Sequence, residues 1–315
     1  MISRRDYLKL SLAAGVALAL DPRRLLAAGD QALPLMTRAI PSSGQQIPVV
    51  GLGSSATFAQ VARSEDVAAL RDVLRALVEG GGSVFDTAPS YGASEQVAGD
   101  LAAELGLTGR IFWATKVNVA RGPGAAADAD EARAQIDASF GKLRKPVLDL
   151  IQVHNLGDLA TQLPILREIK DAGRIRHLGV TTTSAPQYEE LEALMRREPL
   201  DFIGIDYAID NRVMEERILP LARERGIAVM VYLPFGRTRL WEKVRGKDLP
   251  DWAAEFDAAT WGQFFLKFVL AHPAVTVVTP ATSRPHHMVD NLGAGRGRLP
   301  DAALRQRMIE HIASL

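Results

Sequence analysis

The chain has 315 residues, with 37 lysines and arginines against 37 aspartates and glutamates, and no cysteine. A hydrophobic fraction of 47% beside 23% charged residues excludes a disordered or fibrous protein. Zero net charge without a basic tract argues against a nucleic-acid partner, and the lack of cysteine excludes disulfides, zinc thiolates, iron–sulfur clusters and a cysteine nucleophile. We therefore expect a globular enzyme, or a binding protein built on an enzyme-like fold.

Residues 1–28 have the features of an export signal. Arg4 and Arg5 precede a mostly apolar stretch, residues 10–20, which is shorter than the about 20 residues of a membrane-spanning helix. Paired arginines before a mild apolar run resemble a twin-arginine (Tat) signal, with Tyr7 where phenylalanine is commoner. The resemblance implies that the Tat machinery exports the folded protein to the periplasm, with no stable membrane anchor.

The sequence offers two cleavage points, of which Ala17-Leu18-Ala19 fits the small-x-small rule for signal removal. One lies after Ala19, and the other lies after Ala28, at a more usual distance and before a polar stretch. We expect a signal over residues 1–28 and a folded domain over residues 36–315. The alternative is a frayed amphipathic helix at the N-terminus, and a protein whose signal is not used would stay in the cytoplasm.

From about residue 36 onward, short apolar runs alternate with amphipathic segments. Continuous apolar runs are typical of strands buried on both faces, as in parallel sheets, and several helical segments end at a glycine before the next strand. Eight such repeats predict a single-domain (β/α)8 TIM barrel of the α/β class rather than a doubly wound sheet. The predicted strands are 49–52, 84–86, 111–115, 148–153, 175–180, 202–206, 228–232 and 275–278, and the predicted helices are 65–79, 94–105, 128–143, 159–172, 186–197, 212–225 and 261–271.

The segment 237–260 is longer than an ordinary barrel connection and contains Trp241 and Trp252. Long loops after barrel strands commonly shape a substrate pocket, and these tryptophans would favour an apolar or aromatic substrate. An excursion packed outside the barrel is an equally good interpretation.

Four polar residues lie where the second, third and fourth predicted strands end. Asp86 ends the second strand, and Tyr91 follows in the next loop. Lys116 and His154 directly follow the third and fourth strands. Each residue alone also has a purely structural interpretation. Asp86 and Lys116 could be an ion pair at the rim, while His154 could be a buried histidine and Tyr91 a loop aromatic. Because active sites of barrels lie at the carboxyl ends of the strands, their joint placement favours a site.

In this order and placement, the four residues resemble the catalytic tetrad of the aldo-keto reductases. The resemblance extends over about residues 36–292 and implies a nicotinamide-dependent barrel enzyme. Other stretches that agree with it are Gly51-Leu52-Gly53 on the first predicted strand, residues 174–182 along the fifth, Tyr207 after the sixth, Leu233-Pro234-Phe235-Gly236 after the seventh, and Pro280-Ala281-Thr282 with Asp290-Asn291 at the eighth.

These residue types suit carbonyl reduction, which needs a hydride donor and a proton for the oxygen as negative charge develops. A tyrosine hydroxyl can supply the proton, but its ordinary pKa is about 10. We expect the ammonium of Lys116, held by Asp86, to lower the pKa of Tyr91. His154 can donate a hydrogen bond that orients and polarises the carbonyl oxygen. Because no tyrosine or lysine delivers hydride, we expect a nicotinamide cofactor as the donor.

The resemblance also implies a set of cofactor contacts, in which Tyr207 stacks on the nicotinamide ring. Many relatives hold the carboxamide with a serine, an asparagine and a glutamine, where this chain has Thr181, Thr182 and Gly204. The expected contacts are Thr181, Thr182, Tyr207, Leu233, Gly236, Thr282, Arg284, His287 and Asn291.

The phosphate end of the expected cofactor site also departs from the family. Relatives that prefer NADPH often have a lysine and an arginine where this chain has Ala281 and His287. Arg284 is the expected substitute, because a guanidinium pairs well with phosphate, and the alternative is a solvated loop cation. We expect NADP(H) rather than NAD(H). We expect no metal, because the histidines, including adjacent His286 and His287, lack metal-ligand spacing.

The sequence therefore predicts an NAD(P)H-dependent reductase that converts an aldehyde or ketone into the alcohol, and a monomer whose partners are small molecules and the Tat machinery. One alternative is a nicotinamide-binding sensor or accessory barrel with little turnover. Another is a dehydrogenase that oxidises a sugar or an alcohol. Because the periplasm is not expected to hold a free NADPH pool, turnover there would need a retained cofactor.

Overall fold

The centre of the structure is an eight-stranded parallel sheet in which each strand pairs with the next one along the chain. The computed structural model describes residues 33–55, 57–63, 67–120 and 124–315, and the predicted signal at residues 1–28 lies outside them. Residues 35–315 form one unit. The strands are β1 (Thr37–Ala39), β2 (Gln46–Pro48), β3 (Leu52–Gly53), β4 (Val84–Asp86), β5 (Phe112–Val117), β6 (Leu148–Val153), β7 (Ile175–Thr182), β8 (Phe202–Asp206), β9 (Ala228–Tyr232) and β10 (Val275–Val278).

Two bridges join β3 and β10, the edge strands of this sheet. Val50 pairs with Val278, and Gly53 pairs with Ala281, both in the parallel sense. The sheet therefore closes on itself, and the predicted (β/α)8 barrel is confirmed. Strands β4, β6, β8, β9 and β10 have the predicted bounds, whereas the first predicted strand is reduced to β3 and the bridge at Val50.

Helices alternate with the strands of the barrel. They are α1 (Thr57–Val61), α2 (Ala68–Glu79), α3 (Ser94–Glu104), α4 (Ala129–Leu143), α5 (Leu159–Asp171), α6 (Tyr188–Arg197), α7 (Ile218–Arg225), α8 (Arg239–Lys243), α9 (Trp261–Leu270), α10 (Pro285–Gly293) and α11 (Ala302–Ser314). The predicted helices 186–197 and 212–225 each divide into a 3-10 turn and an α-helix. Among the described residues, none of the helices has the length and apolar character needed to cross a membrane.

The hairpin of β1 and β2 closes one end of the barrel. Its strands pair antiparallel, and Ile40 and Ile47 join the apolar side chains of the barrel interior. Oγ of Ser43, in the hairpin turn, lies 3.0 Å from Nε2 of His177 near the start of β7. Because the hairpin covers the amino ends of the strands, the opposite face remains for a site.

Alternation along β8 and β9 decides which side chains face the interior. Phe202 and Met230 belong to the interior cluster, whereas Ile203 and Tyr207 belong to the outer layer between strands and helices. Tyr232, the last residue of β9, packs against the interior cluster. Successive side chains of a strand point to opposite faces, so Tyr207 points outward and Tyr232 points inward.

The long segment 237–260 contains α8 and a 3-10 helix, Asp251–Phe256. Trp252 packs edge-on against Phe264 of α9 and against His311 of α11, with 5.7 Å between ring centroids in both contacts. Trp241 is half-exposed, and its ring lies 4.9 Å from that of Phe235. The part of the segment that carries Trp252 therefore packs outside the barrel, on helices α9 and α11. Trp252 contacts these helices and does not line a pocket.

Candidate active site

Lys116 and Asp86 form a buried ion pair near the carboxyl ends of β5 and β4. Nζ of Lys116 donates to Oδ1 and Oδ2 of Asp86, at 2.9 and 3.0 Å, and to the Thr87 carbonyl at 2.8 Å. Burial lowers the pKa of Lys116, but the Asp86 carboxylate and the Tyr91 hydroxyl together outweigh it and raise that pKa above its ordinary value. The ammonium therefore stays charged at neutral pH.

Tyr91 lies in the loop after β4, close to this ammonium. Nζ of Lys116 is 5.0 Å from the centroid of the Tyr91 ring, and the Tyr91 N–H donates to the Ala88 carbonyl at 3.0 Å. Burial raises the pKa of the Tyr91 hydroxyl, and Lys116 opposes the rise without cancelling it. The pKa is therefore above its ordinary value, which corrects the expectation that Lys116 lowers it on balance. A phenol that keeps its proton at neutral pH suits a proton donor.

His154 follows β6 and stands edge-on to Tyr91, with 5.8 Å between the ring centroids. It begins a 3-10 turn in which Asn155 has a φ of 54°. The Asn155 N–H donates to Oγ1 of Thr181 at 3.0 Å, which ties this turn to β7. Burial and the Lys116 ammonium lower the pKa of His154 to about 3, so the imidazole is neutral. A neutral imidazole can donate one hydrogen bond to a bound carbonyl oxygen.

The structure adds Tyr232 to these four side chains. Its hydroxyl donates to Oδ1 of Asp86 at 3.2 Å and accepts from Nε2 of Gln152 at 3.0 Å. The Lys116 ammonium lies 5.3 Å from its ring centroid. Tyr232 is not among the predicted site residues, but it ends a predicted strand just as Asp86 does, and that position is the signal in the sequence that points to it.

Tyr207 does not take part in this cluster, so the expectation that it stacks on the nicotinamide is wrong. It is fully buried in the outer layer, where its ring contacts Phe268 and His272 at 6.1 and 5.9 Å between centroids. Its hydroxyl contacts Glu215 and accepts from Nη2 of Arg305 at 2.6 Å. The physical reason is strand alternation, which turns the side chain after Asp206 away from the barrel interior.

Thr181 and Thr182, both predicted cofactor contacts, are placed differently. Oγ1 of Thr181 accepts from the backbone of Asn155 beside His154, so this hydroxyl lies next to the cluster. Oγ1 of Thr182 donates to Oε1 of Gln187 at 2.6 Å and accepts from the N–H of Ser184 at 3.1 Å. Thr182 therefore holds the turn after β7, and the structure does not bring it to the cluster.

Leu233 and Gly236 enclose a tight turn directly after β9. The Gly236 N–H donates to the Leu233 carbonyl at 2.9 Å, and both residues have positive φ, 57° and 52° respectively. A Cβ at Gly236 would lie 2.8 Å from Oδ2 of Asp210. The positive φ favours glycine at position 236, and the turn begins at the barrel end where Tyr232 lies.

The remaining predicted contacts surround α10. Oγ1 of Thr282 accepts from the N–H of Arg284, the N-cap residue, at 3.1 Å. The exposed Arg284 guanidinium forms no ion pair within the described ranges of the chain. His287 is exposed beside His286, and Asn291 is buried. A helix N-terminus with an unpaired guanidinium is a suitable place for an anion such as phosphate.

Two buried polar atoms at the mouth lack a hydrogen-bond partner among the described residues. They are Oγ of Ser54, just after β3, and Oε1 of Gln152, near the end of β6. Buried polar atoms are ordinarily paired, so these two are available to a ligand that enters the mouth. The described part of the chain holds no group of three or more histidine and carboxylate side chains suited to a metal ion.

Comparison with known proteins gives consistent matches. The profile of the Aldo/keto reductase family matches residues 49–307. Aldo-keto reductase YhdN of Bacillus subtilis is 29% identical over 201 residues, which is 61% of this chain and 60% of that protein. Aldo-keto reductase str7 of Strobilurus tenacellus is 26% identical over 318 residues, covering 87% of this chain and 92% of the relative.

Solved structures agree with the fold. The aldo/keto reductase of Klebsiella pneumoniae in complex with NADP and acetate is 25% identical, with a TM-score of 0.69 over 85% of this chain and 93% of the other. The holo form of aldo-keto reductase AKR11C1 from Bacillus halodurans is 22% identical, with a TM-score of 0.71 over 88% and 96%. The latter likeness concerns the barrel fold alone.

Proposed function

The chain belongs to the aldo/keto reductase family and is an NAD(P)H-dependent oxidoreductase, and we propose that it reduces an aldehyde or ketone to the alcohol with Tyr91 as proton donor. One observation carries the proposal. The buried Lys116 ammonium contacts Asp86 at 2.9 Å and lies 5.0 Å from the ring centroid of Tyr91, with the neutral imidazole of His154 beside that ring.

Each side chain then has one task in the reaction. NADPH supplies the hydride when it is bound. His154 donates a hydrogen bond that orients and polarises the substrate carbonyl. As negative charge develops on the carbonyl oxygen, Tyr91 donates its proton, and Lys116 stabilises the phenolate that is left. Asp86 keeps Lys116 charged and in place below Tyr91.

We propose NADP(H) as the cofactor, held across the mouth from β7 to α10. Arg284 at the start of α10 suits a phosphate, and the orphaned polar atoms of Ser54 and Gln152 suit a polar ligand. A relative that is 25% identical has been solved with NADP. Tyr232 faces the barrel interior and Tyr207 does not, so Tyr232 is the tyrosine that we propose to lie beside the nicotinamide. The other residues proposed to line the cofactor are Thr181, Leu233, Gly236, Thr282, His287 and Asn291.

The cofactor proposal is tested by fluorescence titration of the purified protein with NADPH and with NADH. We expect Arg284→Met to weaken NADPH binding about tenfold or more and to leave NADH binding unchanged, because the guanidinium meets a phosphate that NADH lacks. Arg245→Met, at another exposed arginine, is the matched control. Equal losses for both cofactors would contradict the assignment of Arg284.

The reaction is tested with Tyr91→Phe and a panel of aldehydes and ketones. We expect the variant to lose at least about a hundredfold in kcat while its affinity for NADPH is retained. Tyr188→Phe removes the hydroxyl of a tyrosine that donates to Asp206 at 2.8 Å, and it should retain activity. A wild-type protein that binds NADPH but reduces nothing in the panel would overturn the reductase proposal in favour of a sensor or accessory barrel.

We also propose that residues 1–28 are a Tat signal and that the barrel domain, residues 36–315, acts in the periplasm. The support is the Arg4-Arg5 pair before an apolar run. The test is fractionation of cells that produce an Arg4→Lys/Arg5→Lys variant, which should remain in the cytoplasm. Arg23→Lys/Arg24→Lys changes an equivalent pair in the same segment and should still be exported. Export of the first variant would contradict the proposal.

A further inference from the structure

Gly204 and Tyr232 lie side by side on adjacent strands, and the glycine makes room for the tyrosine. A Cβ at position 204 would lie 2.5 Å from Cε2, 2.8 Å from Cζ and 2.7 Å from the hydroxyl oxygen of Tyr232. Real side chains do not approach so closely. The Tyr232 ring therefore occupies the space that any other residue at position 204 would fill.

In this position the Tyr232 hydroxyl has a fixed direction of hydrogen bonding. Nε2 of Gln152 can act there only as a donor, and it lies 3.0 Å from the hydroxyl oxygen. The single hydroxyl proton is then directed to Oδ1 of Asp86, 3.2 Å away. Asp86 thus receives hydrogen bonds from two different strands, from Lys116 on β5 and from Tyr232 on β9.

We propose that Tyr232 is a positioning residue that holds Asp86 ionised for Lys116, and that glycine at position 204 is what allows it to reach. The contact itself is independent of the activity, but its consequence for turnover rests on the proposed function. A hydrogen bond to the charged form of a carboxyl favours that form. An ionised Asp86 in turn keeps Lys116 charged below Tyr91.

The electrostatic surroundings of Asp86 support this role. The titratable groups that face it are Lys116 from β5, Tyr91 from the loop after β4 and Tyr232 from β9. Burial raises the pKa of Asp86, and Lys116 and the Tyr232 hydroxyl both oppose that rise. Removing the hydroxyl alone should therefore move the pKa of Asp86 upward.

The direct test is the ¹³C resonance of the Asp86 carboxyl, assigned with Asp86→Asn and followed from pH 8 to the lowest pH at which the fold is native. In Tyr232→Phe we expect the titration to begin about one pH unit higher than in the wild type. Tyr188→Phe removes a similar hydrogen bond, to Asp206 at 2.8 Å, and should leave the Asp86 curve unchanged. Superimposable curves for the wild type and Tyr232→Phe overturn the proposal.

Gly204→Ala tests the second half of the inference. The added Cβ should displace the Tyr232 ring and shift the Asp86 curve in the same direction as Tyr232→Phe. Since both changes act on one hydrogen bond, the double variant should show the shift of a single variant rather than the sum. An additive shift, or an unmoved curve in Gly204→Ala, overturns the role of the glycine.

Turnover separates this inference from the proposed function. If the protein reduces carbonyls, the acidic limb of the kcat profile should move upward with the Asp86 titration in Tyr232→Phe. A moved titration with an unmoved limb would overturn the link to catalysis. If the wild type has no turnover but the Asp86 titration still shifts in Tyr232→Phe, the reductase proposal is overturned and the Tyr232 contact stands.

Discussion

Lys116 and Asp86 are joined by a 2.9 Å salt bridge in which 1% and 4% of the respective side chains are exposed. Removing one member of a buried pair leaves the other charge unpaired, at a cost of about 3–5 kcal/mol in the free energy of unfolding. We expect a loss of that size for Lys116→Met, measured by urea denaturation.

A matched pair of variants distinguishes charge burial from general damage. Lys116→Met/Asp86→Asn should be more stable than Lys116→Met alone, because no unpaired charge remains. Arg133→Met removes a cation from an exposed pair with Glu168 and should change stability little. A double variant that is less stable than the single one would contradict the argument.

Tyr91 should give the two directions of the reaction different pH dependences. Because its pKa is raised by burial, the protonated form needed for carbonyl reduction persists through neutral pH. Alcohol oxidation needs the phenolate, whose fraction grows about tenfold per pH unit below the pKa. We expect reduction to keep its proton donor between pH 6 and 9, while kcat/KM for oxidation rises with pH. An oxidation rate that does not depend on pH would contradict this.

His154 should remain neutral across the working range. Burial and the Lys116 ammonium place its pKa at about 3, so ¹⁵N spectra should show a neutral imidazole at pH 5. Lys116→Met removes the ammonium and should raise the pKa of His154, while burial should still keep that pKa below its ordinary value. His154→Gln identifies the resonance and should lower kcat/KM about a hundredfold, through loss of one donor to the carbonyl oxygen. A His154 that titrates near pH 6.5 would contradict this assignment.

Much of the barrel could be predicted from the sequence, because its strands are buried on both faces. The runs 84–86 and 202–206 are mostly apolar and end at an aspartate, the run 148–153 is followed directly by His154, and the observed strands have those bounds. The hairpin of β1 and β2 was missed because its strands have three residues each and β1 is largely exposed, so neither carries an apolar run. Helices α10 and α11 were not predicted either, and each buries only two or three residues, so neither carries a long apolar stripe.

The candidate site was predictable where it depends on strand ends. Asp86, Lys116 and His154 could be predicted because each lies where a predicted strand ends, and the ends of strands can be read from the sequence. The resemblance implies Tyr207 as the tyrosine on the nicotinamide, but the alternation of β8 from Phe202 turns Tyr207 away from the barrel interior. The raised pKa of Tyr91 could not be predicted, since it depends on how deeply the loop after β4 is buried.

Tyr207 should therefore matter to stability and not to the cofactor. Its hydroxyl ties Glu215 and Arg305, which joins the segment after β8 to the C-terminal helix α11. We expect Tyr207→Phe to lower the free energy of unfolding by about 1–2 kcal/mol, because one hydrogen bond to charged partners is lost. The affinity for NADPH, measured by fluorescence titration, should be unchanged. A variant of unchanged stability with a weakened NADPH affinity would show instead that the Tyr207 ring reaches the mouth of the barrel.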